Sequence, residues 1–240
     1  MSRSTLSVAA RVLRDPRSLL EEAEDPKVFA ALIPRLLGLT CAAAALFGVV
    51  VGSYRGGVQI PYVAIKMPLL LLIPLVVALP AVRALWAACG AEASYGRIAL
   101  AGLLGVTRTA ILAAALGPVL WLLYSSGLDY HLAVLVLVAA LGVVGLPGLA
   151  VLGAVAPAGR SRRWIGTLGS ALVFGILLAQ SGWLLRPFVA RPTVEVSFLR
   201  PIEAHVFSSL GASSSSAVGW YDGWRVERRG LLSRPEEEAP

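Results

Sequence analysis

The stretch YVAIKMPLLLLIPLVVALPAV, residues 62–82, decides how the rest of the chain is to be read. Lys66 is its only charged residue, and Pro68, Pro74 and Pro80 punctuate an otherwise aliphatic run. A helix that crosses a bilayer needs about 20 mostly apolar residues, because the hydrocarbon core is roughly 30 Å thick and each residue rises about 1.5 Å. Residues 62–82 meet that length. The prolines predict kinks, and prolines are ordinary in membrane helices.

Working outward, four further runs have the same character: about residues 31–51, 100–124, 132–155 and 165–185. The composition agrees, with 57% hydrophobic and 15% charged residues among 240, whereas a soluble domain carries about 25% charged residues. Mean hydropathy is +0.77. Between Asp25 and Glu195 the acidic residues are Glu92 and Asp129, both between apolar runs. Backbone polar groups in lipid must be satisfied within their own segment, and no barrel-like alternation is present, so the spans read as helices. The expected fold is all-α: an integral membrane bundle of five transmembrane helices, an N-terminal interfacial amphipathic segment and an extended C-terminal tail. The corresponding divisions are 1–29, 30–188 and 189–240.

The leader has charges throughout and lacks the short apolar core and cleavage site of a signal peptide. Asp15-Pro16 and Asp25-Pro26 each pair an N-cap residue with a proline suited to the first helical position. They predict short helices at about 5–14 and 16–24, and a third running from Pro26 into the first span. On the first, Leu6, Ala9, Ala10 and Leu13 gather near one side, with Arg3, Arg11 and Arg14 at the polar margin. That pattern suits a helix lying on an anionic membrane surface rather than one packed on the protein.

Lysine and arginine set the orientation. The leader carries Arg3, Arg11, Arg14, Arg17, Lys27 and Arg35; Arg83 and Arg97 flank the loop after span two, and Arg160, Arg162 and Arg163 follow span four. The remaining loops contribute Arg55. An N-terminus in the cytoplasm satisfies this bias, although it leaves Arg186, Arg191 and Arg200 outside.

The two cysteines, Cys41 and Cys89, and the two histidines, His131 and His205, are too few and too dispersed for a metal cluster. No Gly-rich phosphate loop, HExxH or GxSxG occurs. No cofactor is expected, and an enzyme is the least favoured class. Polar residues within or beside the spans are the functional candidates, since lipid makes them costly: Gln59, Lys66, Arg108 and Gln180. They read either as a cationic cavity for an anion or lipid headgroup, or as snorkelling and helix-bonding groups. Nearness to a loop favours snorkelling for Lys66; Arg108 lies deeper and fits both readings. Gly48, Gly52 and Gly56, and Gly142, Gly145 and Gly148, are spaced to let helices approach closely.

Span five ends in QSGWLLRPFVARP, residues 180–192. Trp183 and Arg186 suit an aromatic belt and a snorkelling cation, and Pro187 stops the helix so that Phe188 and Val189 fold back onto the bundle. An extended stretch, TVEVSFL, follows. Residues 208–240 open on ASSSSA and contain WYDGW, where Trp220, Tyr221 and Trp224 read as an anchor for a partner.

GSYRGGVQ (52–59), KMPLL (66–70), LPA (79–81), AQSGWLLRPF (179–188), Pro192 and FLR (198–200) resemble a group of bacterial multi-spanning proteins related to the Yip-domain superfamily, whose members are often described as actin-binding WASP-homology proteins. The resemblance covers about residues 10–207 and implies a five-helix bundle with a cytoplasmic N-terminus, in a bacterial cytoplasmic membrane, with no established activity. This chain has no LKKT-like motif behind a short amphipathic helix, and PIEAHVF stands after FLR in place of the family's acidic-Gly-Asn-aromatic ending. Two function classes follow: a non-catalytic subunit that scaffolds or anchors a membrane assembly, or a small transporter or channel for an anion or lipid. The expected partners are the lipid bilayer and other membrane protein subunits, with anionic lipid as a further candidate and no nucleic acid.

Overall fold

The computed structural model describes residues 5–90, 94–153, 160–189 and 198–199. These form seven α-helices: α1 (Thr5–Arg14), α2 (Pro16–Glu22), α3 (Pro26–Gly52), α4 (Gln59–Ala88), α5 (Tyr95–Ser125), α6 (Tyr130–Leu152) and α7 (Arg160–Leu184). Five of them, α3 to α7, contain windows long and apolar enough to cross a membrane. This is the architecture of a multi-pass membrane protein, as the five apolar runs predict.

The helices begin where the sequence offers a side-chain acceptor. The Asp15 carboxylate accepts from Ser18 N at 3.3 Å, and Asp25 accepts from Lys27 N at 2.8 Å. Ser94 Oγ accepts from Arg97 N at 3.2 Å, and Asp129 from Leu132 N at 2.7 Å. Each satisfies one of the donors that a helix start leaves without a partner. Gly90 and Gly127, with φ of 81° and 82°, turn the chain after α4 and α5. Helix α4 runs unbroken through Pro68, Pro74 and Pro80.

Helix α3 packs on both α4 and α5, which also meet each other; α6 lies on α5, and α7 lies on α4. Helices α6 and α7 touch each other little. Buried residues divide into two regions. One joins Val8, Val12, Leu19 and Leu20 to Leu36, Trp86 and Ile98. The other holds Phe47, Val51, Met67, Tyr124, Leu137 and Val189. Hydroxyl and indole groups tie the helices across the first region: Thr40 Oγ1 and Thr107 Oγ1 are 2.8 Å apart, and Trp86 Nε1 donates to Ser170 Oγ at 2.6 Å.

The leader packs on the protein through one side and leaves the side expected to enter the membrane open. Helix α1 buries Val8 and Val12 against the bundle, whereas Leu6, on the side expected to enter the membrane, is 82% exposed. Arg11 is held by Glu22 at 2.7 Å and by Ser18 at 2.8 Å, so this margin cation is engaged within the leader. Arg97, at the start of α5, reaches Glu24 at 2.9 Å. Val8 and Val12 recur at an i, i+4 spacing and bury against α5 and α3, where the apolar gain is larger than that of either exposed ion pair. The compact unit containing the leader and the spans extends to Arg200. The expected extended stretch at 193–197 lies outside the described residues.

Glycine spacing is realised unevenly. A Cβ on Gly48 would stand 2.6 Å from Val63 O, and one on Gly52 2.7 Å from Ile60 Cα, so both lie at a close α3–α4 approach. Gly56 instead occupies the intervening turn at φ 81°. In α6, Gly148 meets Gly105 of α5 backbone to backbone, with 2.6 Å between the position of a Cβ and Gly105 O. Gly142 and Gly145 face open space. The three-residue glycine step in α6 is therefore only partly a helix contact.

Candidate functional site

The α3–α4 turn places Gln59 as the first residue of α4, and Lys66 two turns later on the same face. Both side chains are buried, Lys66 to 0% and Gln59 to 1% exposure. They converge on the chain segment that follows α7. Gln59 Nε2 donates to Pro187 O at 3.1 Å and to Phe188 O at 2.9 Å. Lys66 Nζ donates to the same Pro187 O at 3.2 Å. The ammonium also lies 5.0 Å from the Phe198 ring centroid and 6.0 Å from that of Phe188. Tyr62 closes the group, its ring edge-on to Phe198 at 5.1 Å.

Lys66 reaches the end of the bundle where α7 stops, but its ammonium is covered there by the folded-back segment, whose carbonyl and ring faces stabilise the cation. Helix α7 ends at Leu184, and the Pro187 and Phe188 carbonyls that follow have no helical partner, so they are free to accept from α4. Phe188 and Val189 fold onto the bundle as predicted: Val189 is buried and joins the second apolar region. Gln59 Oε1 remains without a partner among the described residues.

Other predicted residues stand apart from this cluster. Arg108 is half-buried between α5 and α6; its Nη1 lies 3.5 Å from Pro147 O, and its Nε is buried without a partner. Gln180 is half-buried on α7. The Arg186 guanidinium stacks on Trp183, 3.5 Å from the ring centroid, the pairing expected of two residues at a membrane interface. Trp220, Tyr221 and Trp224 lie outside the described residues.

A cavity of about 700 Å³ lies between α6 and α7, floored by α4 and α5. Its wall is apolar over most of its extent, and Arg186, Pro187, Phe188 and Val189 line one end. None of Gln59, Lys66, Arg108 or Gln180 lines it. Two hydroxyls in its wall are bonded within their own helices: Thr109 Oγ1 donates to Gly105 O at 3.1 Å and Ser170 Oγ to Gly166 O at 2.7 Å. Among the described residues no group of three or more His, Cys, Asp or Glu gathers.

Sequence reasoning placed Gln59, Lys66, Pro187 and Phe188 as separate candidates and missed that they form one cluster. It also missed Tyr62 and Phe198 as members. No sequence signal links Tyr62 and Phe198 to Lys66, because the contacts join residues far apart in the chain. Comparison with protein-family models, with curated proteins and with solved structures finds no match, so the functional reading rests on this geometry.

Proposed function

We propose that this chain is a non-catalytic integral membrane subunit that scaffolds or anchors a larger assembly in a bacterial cytoplasmic membrane, with its N-terminus in the cytoplasm. One observation carries the choice over a transporter. The intramembrane cation and amide that could line an anion path, Lys66 and Gln59, are committed to the chain's own Pro187 and Phe188 carbonyls. A translocation route for anions needs cationic groups along its length facing water, whereas the cavity between α6 and α7 is lined by neither of them, nor by Arg108 or Gln180, and carries Arg186 at one end.

In this reading the polar cluster is a clasp. It fixes where the chain leaves span five and so gives the C-terminal tail a defined point of departure. The aromatic group Trp220, Tyr221 and Trp224 then serves as the anchor for another membrane subunit, with Ser213 to Ser216 supplying reach. Deleting residues 212–240 tests this. The truncated protein is expected to insert as five spans and to lose its co-purifying partner in mild detergent. Recovery of the same complex in the same amount would overturn the scaffold reading.

A further inference from the structure

Beyond scaffolding, we propose that the cavity between α6 and α7 holds an anionic phospholipid of the surrounding bilayer, with an acyl chain in the apolar groove and the headgroup phosphate on Arg186. The shape of the site specifies the body of the ligand. Helices α6 and α7 pack on α5 and α4 but scarcely on each other, so the groove between them opens sideways, where lipid tails lie. Gly142 and Gly145 on one wall and Gly175 on the other would each present a Cβ to open space, so the width of the groove comes from missing side chains. The Thr109 and Ser170 hydroxyls in the lining are bonded within their own helices. An occupant of that part has to be apolar.

A cavity of about 700 Å³ is in the size range of a small-ligand site.

Charge specifies the other end of the ligand. Arg186 lines the groove with its guanidinium carbon 3.5 Å over the Trp183 ring centroid, and no carboxylate is bonded to it among the described residues. The nearest acidic residue in sequence to that end of α6, Asp129, has its Oδ1 engaged by Leu132 N. A stacked guanidinium keeps its edge donors available, and their fork matches two phosphate oxygens. An apolar groove that ends on such a group selects an amphipathic anion, and in a membrane that anion is a phospholipid.

The test uses the full chain, purified in mild detergent and incubated with an equimolar mixture of phosphatidylglycerol and phosphatidylcholine of identical acyl chains, with bound lipid counted by native mass spectrometry. The wild-type protein is expected to retain phosphatidylglycerol in preference to phosphatidylcholine by about fivefold, the factor that one interfacial arginine supplies. Arg186→Gln is expected to retain lipid without that preference, and Arg186→Lys to restore part of it. Gly145→Leu combined with Gly175→Leu fills both walls and is expected to lose retention of both lipids. Equal retention of the two lipids by the wild-type protein would overturn the proposal even if the variants fail to fold. A folded groove-filling variant that keeps its lipid would do the same. Neither result bears on the tail-deletion experiment, which reads partner recovery.

Discussion

Lys66 and Gln59 share one acceptor, the carbonyl of Pro187, yet they do not contribute equally. Gln59 Nε2 also serves the part-buried Phe188 O at 2.9 Å, so replacing it with an apolar residue leaves that carbonyl without its donor, at a cost of about 1 kcal/mol. Lys66→Met leaves Pro187 O its bond from Gln59 at 3.1 Å. It also removes the desolvation cost of a buried charge, which offsets much of what the cation contributes. Gln59→Leu is therefore expected to lower the thermal midpoint of the detergent-solubilised protein clearly more than Lys66→Met does. Equal losses would show that charge, and not the amide, holds the segment. Composition alone could single out these two residues, since lysine and glutamine stand out in apolar runs. It could not show what they bond, because their acceptors are backbone atoms, which every residue has.

At the level of helices, the crossing of α5 and α6 turns on one glycine. Gly148 and Gly105 meet with room for no side chain, and Thr109 Oγ1 also touches the place that a Gly148 Cβ would take. Gly148→Ala must push the helices apart, and overpacking of this kind costs about 1–3 kcal/mol. Gly142→Ala and Gly145→Ala meet nothing within 4 Å, and gain up to about 1 kcal/mol from helix propensity. The first is expected to lower the fraction of protein that stays monodisperse after heating in detergent, and the other two to maintain or raise it. A uniform response would mean that the three glycines share one role. Their spacing places them along one stretch of helix, but spacing does not say which neighbour covers each position. Helix starts were more legible, because Asp15-Pro16 and Asp25-Pro26 act through bonds to residues two or three positions away.

For the whole molecule, five spans could be read from the sequence because apolar length is a local property and the bilayer fixes its scale. The leader's docking could not. The amphipathic pattern of α1 suits lipid and protein surfaces alike, and the choice of Val8 and Val12 as the buried pair depends on α3 and α5, formed later in the chain. Orientation rests on lysine and arginine bias. Reporter fusions after Gly90 and Gly159 are expected to read as cytoplasmic and fusions after Gly127 as exterior; the inverse pattern would reverse the proposed topology.

The clasp joins residues 121 and 128 positions apart in the chain. A protein that enters the membrane as it is synthesised therefore inserts Lys66 well before its acceptor exists. A lysine near the centre of an inserting helix costs about 2.5–3.5 kcal/mol, and less toward either end. Lys66 is the eighth residue of α4, so the cost it carries is the smaller one, and its acceptor exists only once residue 187 has been made. A product truncated before Pro187 would leave Lys66 without that acceptor.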